Sequence, residues 1–182
     1  MNIFYLSDSP QQCAEWMVDK HVVKMILETA QLLSTAHRVL DGMQVQVTLR
    51  DPESGKTRNK KVWVLDDDRN DVLYNATHIN HPSAVWARES VENYCWLADH
   101  LLALGSEYTH RYGKTHLSIS KLGYILQSPP FHLRDYEMTP MPSCMDPEYI
   151  ISDDPIINYR NYYKLGKAKM HKWTKREAPE WI

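Results

Sequence analysis

Glycine is scarce in this 182-residue chain, with six residues scattered singly. No phosphate-cradling loop and no dinucleotide fingerprint can be written from them. No Gly-x-Ser-x-Gly turn is present, so no serine nucleophile of that kind is marked. Cysteine is scarce too. Cys13, Cys95 and Cys144 are odd in number and lack Cys-x-x-Cys spacing, which points to reduced thiols in a cytoplasmic setting rather than a disulfide scaffold. Neither Cys13 nor Cys144 has the histidine pattern of a thiol nucleophile. No apolar run approaches the ~20 residues of a bilayer span. MNIFYLSDSP lacks a basic start followed by an apolar run, so no secretory signal is read. With 43% apolar residues the chain can fill one core, and its length fits one domain over residues 1–182.

Against these absences stands one strong periodic stretch, Asp19 to Arg38. Val22, Val23, Ile26, Thr29, Ala30, Leu33 and Ala36 recur at helical spacing and form an apolar stripe. Lys20, Lys24, Glu28, Gln31, Thr35 and Arg38 follow at steps of three and four and share another face. His21 lies seven residues before Glu28, near the seam. A carboxylate with a histidine and two lysines above it and an amide below is the best candidate for chemistry. The plain alternative is a surface Lys24–Glu28 ion pair, worth a few tenths of a kcal/mol.

The rest reads as a mainly α, compact helical domain with one inserted β-hairpin. NIFYL is a short strand or a buried lead-in. Ser9-Pro10 with Gln12 predicts a capping box and a short helix to about Val18. Asp19 is placed to cap the central helix, which Gly42 ends. VQVTL and KVWVL alternate around the turn-like DPESGKTRN, a hairpin over 43–65 whose tip carries Lys56, Arg58, Lys60 and Lys61. Those charges read as a solvated loop or as a nucleic-acid contact. Pro82 opens a long helix, about Ser83 to Tyr112, with His81 or Asn80 as cap and Gly113 as its end. Thr115 caps a further helix, His116 to Gln127. Residues 128–155 hold six of the ten prolines and form a long irregular segment, functional or mobile. Asp154-Pro155 starts a last helix to about Lys169.

Net charge is only −2, but its distribution is uneven. Tyr159 to Arg176 contains seven Lys or Arg and no acid, interleaved with Tyr162, Tyr163 and Trp173. Cations neutralise phosphates and flat rings stack on unpaired bases, so Tyr162, Lys164, Lys167 and Lys169 are candidate DNA contacts. Arg88, Arg111 and Lys114 form a basic margin along the 83–112 helix. His78 and His81 have metal-like spacing, yet no third ligand follows; capping and packing account better for them.

Asp19-Lys20-His21, with Glu28 seven residues after His21, resembles the first catalytic helix of the phage-type pyrimidine-dimer DNA glycosylases. The stretch from His81 to Lys114 is similar to that family's long middle helix, matching at Glu107, Arg111 and Gly113. YYKLGK, Tyr162 to Lys167, resembles its aromatic-lysine segment that lies against DNA. The likeness covers about half the chain and rests on the common order of the motifs. It implies a small helical enzyme acting on duplex DNA with a flipped pyrimidine, using no metal or cofactor, in the cytoplasm of a phage host. In that family the chain's α-amine attacks sugar C1′, and a Schiff base then permits strand cleavage. By position Glu28 is the catalytic carboxylate, Met1 carries the amine, and His21, Lys20, Lys24 and Gln31 support the site or contact DNA. Asn2 is large for a residue behind a removable methionine, Leu27 and Gln31 replace basic neighbours of the glutamate, and the hairpin has no counterpart. Rival readings are an inert DNA- or protein-binding module, and a transferase or a metal-dependent hydrolase acting on nucleotides through His78, His81 and a carboxylate.

Overall fold

Helix α2, Asp19–Asp41, is the axis of the fold. In the computed structural model, which describes residues 1–182, Val22, Met25, Ile26, Ala30, Leu33 and Ala36 are buried. Lys20, Lys24, Glu28 and Gln31 lie on the outer side, as the periodicity requires, but Thr35 and Arg38 of the same expected face are buried. Val23 departs from the expected stripe and is exposed. Helix α5, Val91–Tyr112, meets α2 with Tyr94, Leu97, Leu101 and Leu104, and α1, Pro10–Trp16, packs on α5. One core of 32 buried apolar residues joins these helices. No helix is long and apolar enough to cross a membrane.

The helix starts follow side-chain chemistry. Ser9 caps α1 by accepting from Gln12 N–H, with Pro10 at the first position. The capping box is half formed, because the Gln12 carboxamide takes the Ser7 hydroxyl at 2.7 Å instead. Helices α1 and α2 are separate, divided at Met17–Val18. Asp19 does not cap α2; Val18 occupies that position, and the Asp19 carboxylate accepts from Arg111 and Thr174. Gly42 ends α2 through close approach, since a Cβ there would meet Arg38 O at 2.6 Å and Val64 O at 2.8 Å.

The expected helix 83–112 is broken. Helix α4, Pro82–Trp86, is capped by His81, and Ser90 then caps α5. The Asn93 carboxamide donates from Nδ2 to Trp86 O at 2.8 Å and closes the first piece. Between the hairpin and α4 lies a single turn, α3, Arg69–Val72. Helix α6, Leu117–Leu122, is capped by His116 rather than Thr115 and runs into a 3-10 turn at Ile125–Gln127. Helix α7 spans Pro155–Gly166, ending before the expected Lys169. NIFYL is a largely buried, irregular lead-in with no strand partner.

The hairpin forms where expected: β1, Met43–Arg50, pairs antiparallel with β2, Thr57–Val64, from Met43–Val64 to Arg50–Thr57. Its root is held by the buried Arg38 guanidinium, which donates to the carbonyls of Trp63, Asn70, Leu73 and Tyr74. Residues 128–154 are irregular but strapped down. Asp41 accepts from Phe131 and His132 N–H, and Asn93 accepts from Thr139 N–H.

Arg111 corrects an expectation. It is 2% exposed and donates to Glu107 (2.6 Å), Asp19 (2.9 Å) and Glu15 O (2.9 Å), so it faces the interior rather than DNA. Buried carboxylates need such a partner. Arg176 adds a second cation on Glu107 at 2.8 Å, and Thr174 binds Asp19, which fastens the C-terminal tail to α2 and α5. Burial pushes the Asp19 and Glu107 carboxyls up. The Thr174 and Arg111 bonds to Asp19, and the Arg176 and Arg111 bonds to Glu107, outweigh it and hold both below ordinary values. Their contribution to stability is therefore full above the unfolded carboxyl range, near pH 4, and is lost as pH falls through the depressed folded values. Denaturant titrations across pH are expected to show that acid limb. Asp19→Asn is expected to shorten it and to cost roughly 3 kcal/mol at pH 7, since a buried cation loses a partner.

Candidate active site

Glu28 sits mid-way along α2, on its outer side, with its side chain 14% exposed. One carboxylate oxygen pairs with Lys24 Nζ at 3.0 Å, across one helical turn. The other accepts the main-chain N–H of Asn2 at 3.3 Å. The surface ion pair expected from spacing is thus present, but it is not all that Glu28 does. The beginning of the chain is brought to the same carboxylate.

Asn2 is pinned from three directions. Its Nδ2 donates to Cys144 O at 2.7 Å, and its Oδ1 accepts from Ile3 N–H at 2.8 Å and from the buried Tyr159 hydroxyl at 2.8 Å. Tyr159 also accepts from Cys144 N–H at 3.2 Å. Helix α7 and the irregular 128–154 segment therefore hold the N-terminal residues in front of Glu28. His81 completes the surroundings. Its Nδ1 accepts from Ser83 N–H at 3.2 Å, which leaves Nε2 as the protonated nitrogen when the ring is neutral. Burial lowers its pKa, and the positive charges of the chain's amine and His78 act the same way, while Glu28 opposes them.

A second cluster abuts the first through Phe4. His21 stacks on Phe4 with centroids 4.2 Å apart, and Phe4 stacks on Tyr162, which leans on Tyr149. Phe4 has a left-handed backbone, φ 57°, and its carbonyl receives the Cys13 thiol at 3.1 Å. Lys167 Nζ lies 4.5 Å over the Tyr162 ring and 5.9 Å over Phe4. His21 is 4% exposed and its Nδ1 is 2.5 Å from the Tyr163 hydroxyl. Burial raises Tyr163 well above its ordinary value, so its hydroxyl stays protonated beside the imidazole. Burial, then Lys167 and Lys24, push His21 down to about 3.

Of the residues expected at the site, Lys24 and Glu28 meet Asn2, the residue after Met1, with His81 near enough to feel the charge of Glu28, while His21, Tyr162 and Lys167 form the adjoining stack. Lys20 is exposed and Gln31 half-buried on the outer side of α2, and Lys164 and Lys169 are exposed around the end of α7. Lys114 is exposed just past α5, and the half-buried Arg88 folds back to donate to Ala84 O at 2.6 Å; neither bonds to the cluster. No group of three or more His, Cys, Asp or Glu side chains is placed to hold a metal, and His78 turns to Thr77 Oγ1 at 2.8 Å. Sequence reading missed Asn2 as a structural pivot, Phe4 as a stacking platform and Tyr159 as a clamp. Only the aromatic density of α7 hinted at the last.

A neutral His21 has a direct check. Its ring resonances, followed by NMR, are expected to stay flat from pH 8 to pH 5 and to move only near pH 3. Tyr163→Phe removes the hydroxyl bonded to Nδ1, and the ring resonances are expected to shift at every pH.

A family model described as pyrimidine dimer DNA glycosylase matches residues 1–120. No curated protein and no solved structure matches the chain.

Proposed function

We propose, from the premise that this chain belongs to the pyrimidine dimer DNA glycosylase family, that it excises a damaged or modified pyrimidine from duplex DNA with Glu28 as the catalytic carboxylate. The supporting observation is the 3.3 Å contact between the largely covered Glu28 carboxylate and the main-chain N–H of Asn2, one residue after the Met1 amine. An amine and a carboxylate so placed suit attack on a sugar carbon. The amine nitrogen bonds to C1′ as the C1′–base bond breaks, and the base leaves with the electron pair and takes up a proton. Glu28 stabilises positive charge growing on the sugar and moves the proton that the amine must lose. Ring opening then gives a Schiff base, from which the strand is cleaved. Met1 carries the amine in this reading. Buried and neutral, His21 is a positioning residue, holding Phe4 and α7 against α2.

DNA lies along the outer side of α2 and across α7 in this reading. Lys20, Lys24, Gln31, Tyr162, Lys164, Lys167 and Lys169 supply phosphate and stacking contacts there, with Arg88 and Lys114 as outlying cations. Unstacking the target base costs a few kcal/mol, least for one already damaged.

One observation favours a variant of the chemistry. Lys24 Nζ, 3.0 Å from Glu28 Oε1, is a second amine at the same carboxylate. Borohydride trapping on a duplex carrying a cyclobutane dimer, followed by peptide mapping, separates an adduct on Met1 from one on Lys24. Excision without any trapped adduct identifies a glycosylase that forms no Schiff base. Glu28→Gln is expected to lower single-turnover excision about 10²–10⁴-fold while duplex affinity is kept. Full activity in that variant would remove Glu28 from the chemistry.

A further inference from the structure

The β1–β2 ribbon is not used by the excision chemistry, and its composition asks for a partner. Five cations, Arg50, Lys56, Arg58, Lys60 and Lys61, stand against Asp51 and Glu53, so residues 43–64 carry five positive and two negative charges, a net of +3. All five cations are exposed and none is engaged in an ion pair. The Asp51 carboxylate is occupied inside the turn, accepting from Glu53 N–H and from the Ser54 N–H and hydroxyl. Four arginines elsewhere are consumed by the fold: Arg38 on carbonyls, Arg69 on Asp41 and Asp67, Arg111 and Arg176 on Glu107. The ribbon is where free guanidinium and ammonium groups are gathered on a projecting element. Its root is acidic, at Asp66, Asp67 and Asp68, so positive potential is concentrated at the far half.

The register sorts the two faces. Gln44, Gln46, Thr48, Arg50, Thr57, Asn59 and Lys61 share one side, a row of hydrogen-bonding groups that ends at Trp63 by the root. Met43, Val45, Val47, Leu49, Val62 and Val64 share the other, with Arg58 and Lys60 toward the tip. Amides, hydroxyls and cations on one face of a two-stranded ribbon match the width and the acceptor-rich walls of a duplex major groove.

The position of the ribbon adds the second argument. Lys24 and Gly42 are eighteen residues apart, which is five turns of a 3.6-residue helix, so the chain leaves α2 on the side that carries Lys24. Gly42 lies fourteen residues beyond Glu28, about 21 Å along the axis. Each eight-residue strand adds a reach of up to ~27 Å. A duplex with its target at Glu28 and its axis along α2 meets the ribbon beyond the half-turn that the active site itself covers, a full turn being ~34 Å.

We propose that this ribbon is a DNA-binding arm that grips the phosphates and groove of the duplex flanking the lesion on the side of the α2 C-terminus. The proposal rests on the reading that the active site works on duplex DNA, and it extends the footprint rather than the chemistry. It assigns the ribbon affinity without base-specific excision.

The test combines a ribbon variant with duplex length. Lys56→Gln, Arg58→Gln, Lys60→Gln and Lys61→Gln are made together; all four side chains are exposed, and melting is expected to match the parent protein. Binding is measured by fluorescence anisotropy on lesion-centred duplexes of roughly 30 and roughly 10 base pairs, about three turns and one. The parent is expected to bind the long duplex at least ~10-fold more tightly than the short one, and the variant to lose that gain. The slope of log K against log salt on the long duplex is expected to fall by about 0.9 for each phosphate contact removed. Single-turnover excision on the short duplex should be unchanged. Equal long-duplex affinity and salt slope in parent and variant would overturn the proposal, as would an equal loss on both duplexes. Absence of excision by the parent protein would count against the glycosylase reading alone, since length dependence is read from binding and is measured equally well in Glu28→Gln.

Discussion

The structure depends on how its beginning is held. The first residues make no helix and join no sheet, and an unanchored terminus ordinarily frays. Here Asn2 is bound to Cys144 from the irregular segment and to Tyr159 from α7, while Phe4 is wedged between His21 and Tyr162. The two Asn2 contacts link parts of the chain more than 140 residues apart. The energetic sense is that a buried tyrosine hydroxyl and a buried imidazole must each find a partner. Those partners are supplied by residues that also fix the approach to Glu28.

The same logic explains why 128–154 is ordered with no regular element beyond a 3-10 turn at Pro147–Tyr149. Its main-chain donors go to side-chain acceptors on the body, Asp41, Glu92 and Asn93, each on a helix already fixed by the core. Prolines, lacking N–H groups, reduce the number of donors that must be matched. The segment is a set of side-chain-anchored straps. One strap ends at Cys144, where it meets Asn2.

Much of the architecture could be read from residues alone. The periodicity of α2, the alternation of the hairpin, and the Pro10, Pro82 and Pro155 starts are local signals, and these survived, although the cap read at Thr115 moved to His116. What failed was long-range. Asp19 looks like a helix cap, but a cation and a threonine from distant segments outbid the nearby backbone for its carboxylate. The 83–112 stretch looks continuous, yet Ser90 and Asn93 cut it by bonding backbone groups that a single helix would need. Arg111 looks like a surface cation at the end of a basic margin, but a buried carboxylate four residues earlier claims it. At the site, the carboxylate and its lysine were visible from spacing. The convergence of Asn2, His81 and Tyr159 on it was not, because no pattern within one element encodes a contact between elements.

A β-ribbon with nothing alongside it leaves two strand edges whose amide and carbonyl groups are unpaired, with Leu49 and Val64 open nearby. Such edges are templates for another copy to zip onto, and lysines are a common guard against it. The cations of this ribbon therefore act on solubility as well: mutual repulsion keeps one molecule's edge from its neighbour's. That guard is electrostatic and weakens as the Debye length shrinks with added salt, so concentrated stocks of this protein are best kept at low ionic strength.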